Sequence, residues 1–189
     1  MRDISLHLMD IIQNSITAGA GKVKVYISTV SASDELRICI ADDGSGMDKE
    51  LLERVTSPFS TTRTTRKIGL GIPLFKSSAM QSGGDLYIES VKGQGTTLEA
   101  VFKISSIDRI PLGDIADTFG AVISANPEID FELVLMKDGG KSFEFSTEEV
   151  KARILEVPIN NYEVVDWIKE FIDEGVKITF GGVLNEINS

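Results

Sequence analysis

Asp10 and Asn14 stand four residues apart in a segment of helical periodicity, so both project from one face and can reach a common ligand. A carboxylate and an amide oxygen suit magnesium, a hard cation that keeps several waters and is shared with substrate phosphates. A second group, Asp42-Asp43-Gly44-Ser45-Gly46-Met47, follows a strand pattern. Its first aspartate can accept a hydrogen bond from an exocyclic amine, and its glycines let a flat ring lie against the main chain. A third feature is a reversal of charge. Between Glu53 and Asp85 no acidic residue occurs, while Arg54, Arg63, Arg66, Lys67 and Lys76 all do. The centre of that window carries the hydroxyls Ser60, Thr61, Thr62, Thr64 and Thr65, then Gly69-Leu70-Gly71 ahead of a helical pattern. Cations, closely approachable backbone and the positive end of a helix together make a phosphate cradle. A fourth group, Gly93-Gln94-Gly95-Thr96, joins two strand patterns. Each group alone has a plain reading as a polar helix face, an Asp-Gly turn, a basic loop or a hairpin.

These groups need a scaffold. Ile4, Leu8, Ile11, Ile12 and Ile16 form an apolar stripe, predicting an amphipathic helix from Arg2 to about Ala18, stopped by Gly19 and Gly21. Strands are predicted over Lys22 to Val30 and Glu35 to Ala41, a short helix over Asp48 to Val55, and a mobile loop over Thr56 to Lys67. A helix from Gly71 to Gln81 tolerates Pro73 in its first turn. Strands Asp85 to Val91 and Thr96 to Ile104 complete an αββααββ order. Beyond Ser105 the pattern predicts a helix from Asp114 to Ala125, a hairpin from Ile129 to Phe145 turning at Asp138-Gly139-Gly140, and helices through Val150 and from Tyr162 to Glu174. No chemical motif marks this part, and it reads as a small α+β extension, residues 105–189, serving structure or partner contacts.

The net charge of −10 over 189 residues argues against a broad grip on nucleic acid or anionic lipid. No signal peptide or apolar run long enough for a membrane span is visible, so a cytoplasmic protein is expected. The single cysteine, Cys39, lies in an apolar run and is expected to fill core space.

In order and spacing, the groups resemble the motif set of the GHKL superfamily, which includes gyrase, the Hsp90 chaperone, histidine kinases and mismatch-repair ATPases. Met9 to Ala18 look like the N box, Asp42 to Met47 like the G1 box, Pro58 to Thr62 like the F box, Gly69 to Ile72 like the G2 box and Gly93 to Thr96 like the last glycine motif. The resemblance covers about residues 1–104 and implies the Bergerat fold: an α/β sandwich, a mixed sheet with helices on one face and a lid over ATP. It implies that Asn14 coordinates magnesium, that Asp42 bonds the adenine amine, that Gly44, Gly46 and Met47 shape the pocket, and that Thr96 supports Asp42 through its hydroxyl or a water. Thr61, Thr62, Arg63, Arg66, Lys67, Gly69, Leu70 and Gly71 would line the lid and phosphate site.

The F and G2 boxes look like the kinase branch, with sensor histidine kinases and anti-sigma serine kinases. Where related ATPases carry a general-base glutamate this sequence has Asp10, one methylene shorter, which remains the candidate catalytic base. His7, the only histidine, lies on the N-box helix, where it reads as flanking or packing rather than as a phosphoacceptor. Two functions stay open: a kinase or ATPase that passes the γ-phosphoryl group to a partner protein or to water, and an ATP-gated module that binds a regulatory partner with little turnover.

Overall fold

The computed structural model describes residues 3–56, 70–140, 142–181 and 184. The first helix, α1 (Ile4–Thr17), is capped by Asp3, whose carboxylate accepts the Leu6 amide at 3.0 Å, and it buries the expected stripe of Ile4, Leu8, Ile11 and Ile12. Gly19, at φ +76°, turns the chain out of it. Strands β1 (Lys22–Val30) and β2 (Glu35–Asp42) pair antiparallel across a 3-10 turn at Ser31–Ser33. Helix α2 (Lys49–Thr56) begins behind Asp48, whose side chain accepts the Leu51 amide, and α3 (Gly71–Gln81) follows. Strands β3 (Asp85–Val91) and β4 (Gly95–Lys103) form the next hairpin. The αββααββ order is thus present.

The remaining elements are α4 (Ile115–Ala125), β5 (Asp130–Lys137), β6 (Phe143–Ser146), α5 (Thr147–Ile154) and α6 (Tyr162–Phe180). The turn between β5 and β6 falls where Asp138-Gly139-Gly140 predicts it, with Gly139 at φ +70°. Helix α6 runs six residues past its expected end at Glu174. Gly175, the residue after that expected end, is buried against Phe143, where a Cβ would lie 2.6 Å from the ring. The missing side chain allows close helix–strand packing, and Val176, Thr179 and Phe180 continue the buried stripe.

The six strands form one mixed sheet in the order β3-β4-β2-β1-β5-β6. Among the described residues its one parallel pairing is β1 with β5, in register from Lys22 opposite Asp130 to Thr29 opposite Lys137. The described residues beyond Ser105 therefore extend the same sheet and share its core. Val23, Val25 and Ile27 of β1, Leu36, Ile38 and Ile40 of β2, and Phe131, Leu133 and Leu135 of β5 all belong to a single buried cluster with residues of α1, α3, α4 and α6. Arg109, 5% exposed, stitches the connection by donating to the carbonyls of Ile104 at 3.0 Å and Leu184 at 2.9 Å.

The expectation for Cys39 is corrected. Strand alternation sends Leu36, Ile38 and Ile40 to the helix side, so Cys39 faces the open side of the sheet, half-buried beside Glu99 of β4. Partial burial, together with the nearby Glu99 charge, pushes its thiol pKa up, so it is a weak nucleophile. No helix among the described residues is long and apolar enough to cross a membrane.

Candidate functional site

Helix α1 crosses the sheet so that its buried face carries, besides the aliphatic stripe, the polar side chains of Ser5, His7 and Ser15. Ser15 is almost fully buried, and its hydroxyl donates to Asp42 Oδ2 at 2.7 Å, a shorter contact than the 3.3 Å to the Ile11 carbonyl. The other carboxylate oxygen, Asp42 Oδ1, accepts the Gly44 amide at 3.0 Å. Two donors from behind thus fix the carboxylate at the end of β2, in a charge-assisted arrangement with lone pairs to spare. The neighbouring Asp43 does a different job: its Oδ1 accepts the Gly21 and Lys22 amides, both at 2.8 Å, and fastens the start of β1.

Asp42 stands at the polar end of a cavity of about 260 Å³. Asn14, Gly46, Met47 and Thr96 line it with Asp42, and Ile11, Ile40, Leu51, Val55, Ile72, Ile88 and Leu98 supply apolar walls. The fold forms this space between α1, the ends of β2 and β4, and α2, which brings Leu51 and Val55 over it. The loop before α2 is held against the β3–β4 hairpin: the Met47 amide donates to Ser90 Oγ at 2.8 Å and the Gly93 amide to the Ser45 carbonyl at 2.7 Å. Glycine is required where these backbones meet. A Cβ on Gly46, which sits at φ +61°, would lie 2.1 Å from the Val91 carbonyl oxygen. Gly44 packs against Ala18, where a Cβ would lie a tight 3.1 Å from the Ala18 methyl and carbonyl oxygen.

Thr96 faces Asp42 across the β2–β4 ladder, but its hydroxyl lies 2.8 Å from Ser90 Oγ. The direct hydroxyl support of Asp42 comes instead from Ser15, which sequence reasoning missed. A serine inside the α1 stripe, one residue from Asn14, is the signal that could have found it, since a polar side chain on a buried helix face must have a partner. Asp10 is exposed and lies outside the cavity lining. It sits against the start of α3, where a Cβ on Gly71 would meet its Oδ2 at 3.3 Å. Leu70 precedes that helix and is 64% exposed, away from the cavity. Thr61, Thr62, Arg63, Arg66, Lys67 and Gly69, with the predicted lid and Phe59 motif, lie outside the described residues. No cluster of three or more His, Cys, Asp or Glu suited to a metal occurs among the described residues, so an all-protein metal cage is absent there.

His7 is 1% exposed between α1 and α3, stacked on Phe75 at 4.8 Å, with Nε2 3.1 Å from Ser78 Oγ. It packs, as its position on the helix suggests. Burial pulls its pKa down from 6.5 to about 4, with Asp3 opposing weakly. The folded protein therefore binds fewer protons here than the unfolded chain between those two values. This contribution to stability is complete above pH 6.5 and is lost as pH falls through that window, by about 3 kcal/mol at the acid end. Urea unfolding at pH 7 and pH 4.5 should show a smaller acid loss in His7→Phe than in the parent; equal losses in the two proteins would contradict the assignment.

Comparison with known proteins agrees with this geometry. Residues 2–106 match the family described as "Histidine kinase-, DNA gyrase B-, and HSP90-like ATPase". The chain is 33% identical over 98 residues to Sporulation kinase C of Bacillus subtilis (strain 168), covering 52% of this chain and 23% of that protein. It is 31% identical over 99 residues to the signal transduction histidine-protein kinase AtoS of Escherichia coli (strain K12), covering 52% and 16%. The chain thus spans a quarter or less of the length of these relatives. Among solved structures, the N-terminal domain of a DNA repair protein superposes with a TM-score of 0.50 at 15% identity, covering 76% of this chain and 52% of that one, which is a likeness of fold. With a family match over more than half of its residues and the cavity, Asp42 and the glycine contacts assembled within that stretch, the chain belongs to the histidine kinase-, DNA gyrase B- and HSP90-like ATPase family.

Proposed function

We propose that this chain binds Mg-ATP and transfers the γ-phosphoryl group to a partner protein or to water, in a regulatory role within the cytoplasm. The observation that carries the reading is the Asp42 carboxylate, held by Ser15 and Gly44 at the end of an otherwise apolar slot. At about 260 Å³ the slot is smaller than the roughly 300–1,000 Å³ that encloses a whole drug-sized ligand, and it suits a flat base. Asp42 would accept the adenine amine and repel the exocyclic carbonyl oxygen that guanine presents at the same place. Thr96 adds polarity beside Asp42, and Gly46 and Met47 form one side of the slot.

Asn14, at the cavity wall with no hydrogen bond to its side chain among the described residues, would hold magnesium, with phosphates and water completing the shell. Gly71, with Leu70 and Gly69 before it, begins a helix whose amides favour anions, and the basic residues Arg63, Arg66 and Lys67 would neutralise phosphate charge together with the hydroxyls of Thr61 and Thr62. Such transfer rests on positioning and charge neutralisation, with Asp10 as the candidate base. Residues 105–189 would contribute to structure and to partner contacts.

A second reading, an ATP-gated binding module with little turnover, is favoured by one observation: Asp10 lies outside the cavity, against Gly71. Incubation with γ-labelled ATP and magnesium separates the two. Label moving to protein or water, and ceasing to move in Asp10→Asn with ATP affinity retained, supports the enzyme; tight binding with all label left on ATP supports the module. Asn14→Ala should remove the magnesium-dependent part of ATP binding in calorimetry, and unchanged binding would sink the assignment of Asn14.

A further inference from the structure

The sheet has two edges, and the nucleotide slot belongs to the side that carries β2, β3 and β4. At the far edge β6 is paired among the described residues to β5 alone, with Phe143 opposite Leu135 and Ser146 opposite Glu132. Hollows flank this edge on both sides. On the open side of the sheet a hollow of about 530 Å³ is lined by Glu132, Val134, Glu144, Glu148, Glu149 and Ala152. On the helix side a groove of about 490 Å³ runs between α5 and α6, past Phe145, Arg153, Ile154, Trp167 and Phe171. The two share Glu144, Phe145, Ser146 and Glu149, so they meet along the strand.

The chemistry of this edge is one-sided. Glu144 and Glu149 have no ion-pair partner among the described residues, whereas Glu132 is engaged by Lys22 and Lys24, and Glu148 by Lys22. Arg153 is the one cation lining either hollow. Trp167 is 48% exposed and stacks on Phe171 with ring centroids 5.3 Å apart. Glu163 and Glu170 lie one turn to either side of it on α6. An aromatic floor and a row of carboxylates without ion-pair partners thus border a strand edge that has no neighbouring strand among the described residues. Joining two copies edge to edge through β6 would bring like charges together, and nucleic acid would be repelled by the same carboxylates.

We propose that the β6 edge receives an extended segment of a partner protein with alternating basic and apolar side chains, which adds a seventh strand to the sheet. Its amides and carbonyls pair with β6, its cations face Glu144 and Glu149, and an apolar side chain enters the groove over Trp167. The site is independent of nucleotide, so failure of the ATP reading leaves it standing.

Trp167 is the only tryptophan and reports on the groove directly. The probe is a capped nonapeptide alternating lysine and valine, added to the full chain at low salt. Saturable change of Trp167 emission is expected. Affinity should fall at least tenfold for Glu144→Lys/Glu149→Lys, whose replaced side chains are exposed so that the fold persists, as circular dichroism will verify. It should also fall at least tenfold for the peptide N-methylated at every second residue on the edge that would face β6, and for a glutamate–valine peptide. No response at millimolar peptide overturns the proposal, as does equal binding of the charge-reversed variant or of the N-methylated peptide. Concentration-dependent dimerisation that the peptide reverses would assign the edge to a second copy and overturn it equally.

Discussion

Asp42→Ala will lose ATP affinity by roughly 150-fold, about 3 kcal/mol, while remaining folded. The size follows from what the substitution removes. A carboxylate hydrogen bond to an exocyclic amine is charge-assisted, and the cavity around it is apolar, so no other described group in the lining takes over its charge. Truncation also leaves the Gly44 amide and the Ser15 hydroxyl without their acceptor; the hydroxyl can turn to the Ile11 carbonyl at 3.3 Å, whereas the amide has no such rescue. Asp42→Asn will be milder. Its amide oxygen keeps the Gly44 donor and its NH2 meets Ser15, whose oxygen can accept, but the NH2 then offers a proton where adenine also offers one. Calorimetry of ATP and GTP against the three proteins checks this, and an alanine variant that binds ATP within threefold of the parent would remove Asp42 from the adenine site.

Gly46→Ala will cost about 3 kcal/mol of stability, lowering Tm by roughly 10 °C, and will weaken ATP binding further than that loss explains. The backbone here sits in the left-handed region, and the new Cβ would meet the Val91 carbonyl oxygen at 2.1 Å. The atom in the way is main chain of the β3–β4 hairpin, so relief requires the Ser45–Met47 backbone to move off that hairpin, breaking the Met47 to Ser90 hydrogen bond. Met47 lines the cavity, so the damage reaches the proposed base site. Gly93→Ala is the matched control: it also has a positive φ, at +82°, but no atom stands within 4 Å of its Cβ. Thermal melts with and without ATP should separate the two, and equal shifts would mean that conformational strain alone, and not the close contact, decides the cost.

Much of this was legible in the sequence because the information was local. Helix α1 declares itself by its stripe, and β1 and β2 by their β-branched residues. Asn14, Asp42 and Thr96 could be grouped before their distances were known, since motifs carry backbone requirements that a reader can recognise. What escaped was non-local. Ser15 gains its meaning only from Asp42, 27 residues away, and nothing in the helix pattern names that partner. Cys39 was misjudged because a strand with bulky residues on both faces reads as continuous core, and its neighbours on β4 decide which face is covered. The pairing of β5 with β1 was invisible for the same reason: a parallel neighbour more than a hundred positions along the chain leaves no periodic trace in either strand.

That last pairing has a consequence for how the molecule is made. During synthesis α1, β1 and β2 leave the ribosome early, yet β1 keeps an uncovered flank until Asp130–Lys137 have emerged. The family's own motifs are all translated before that point. Nascent chains therefore carry all of the proposed nucleotide contacts on a sheet whose β1 edge is still open, a stage in which chaperones or unwanted strand pairing compete for β1 until the later half arrives.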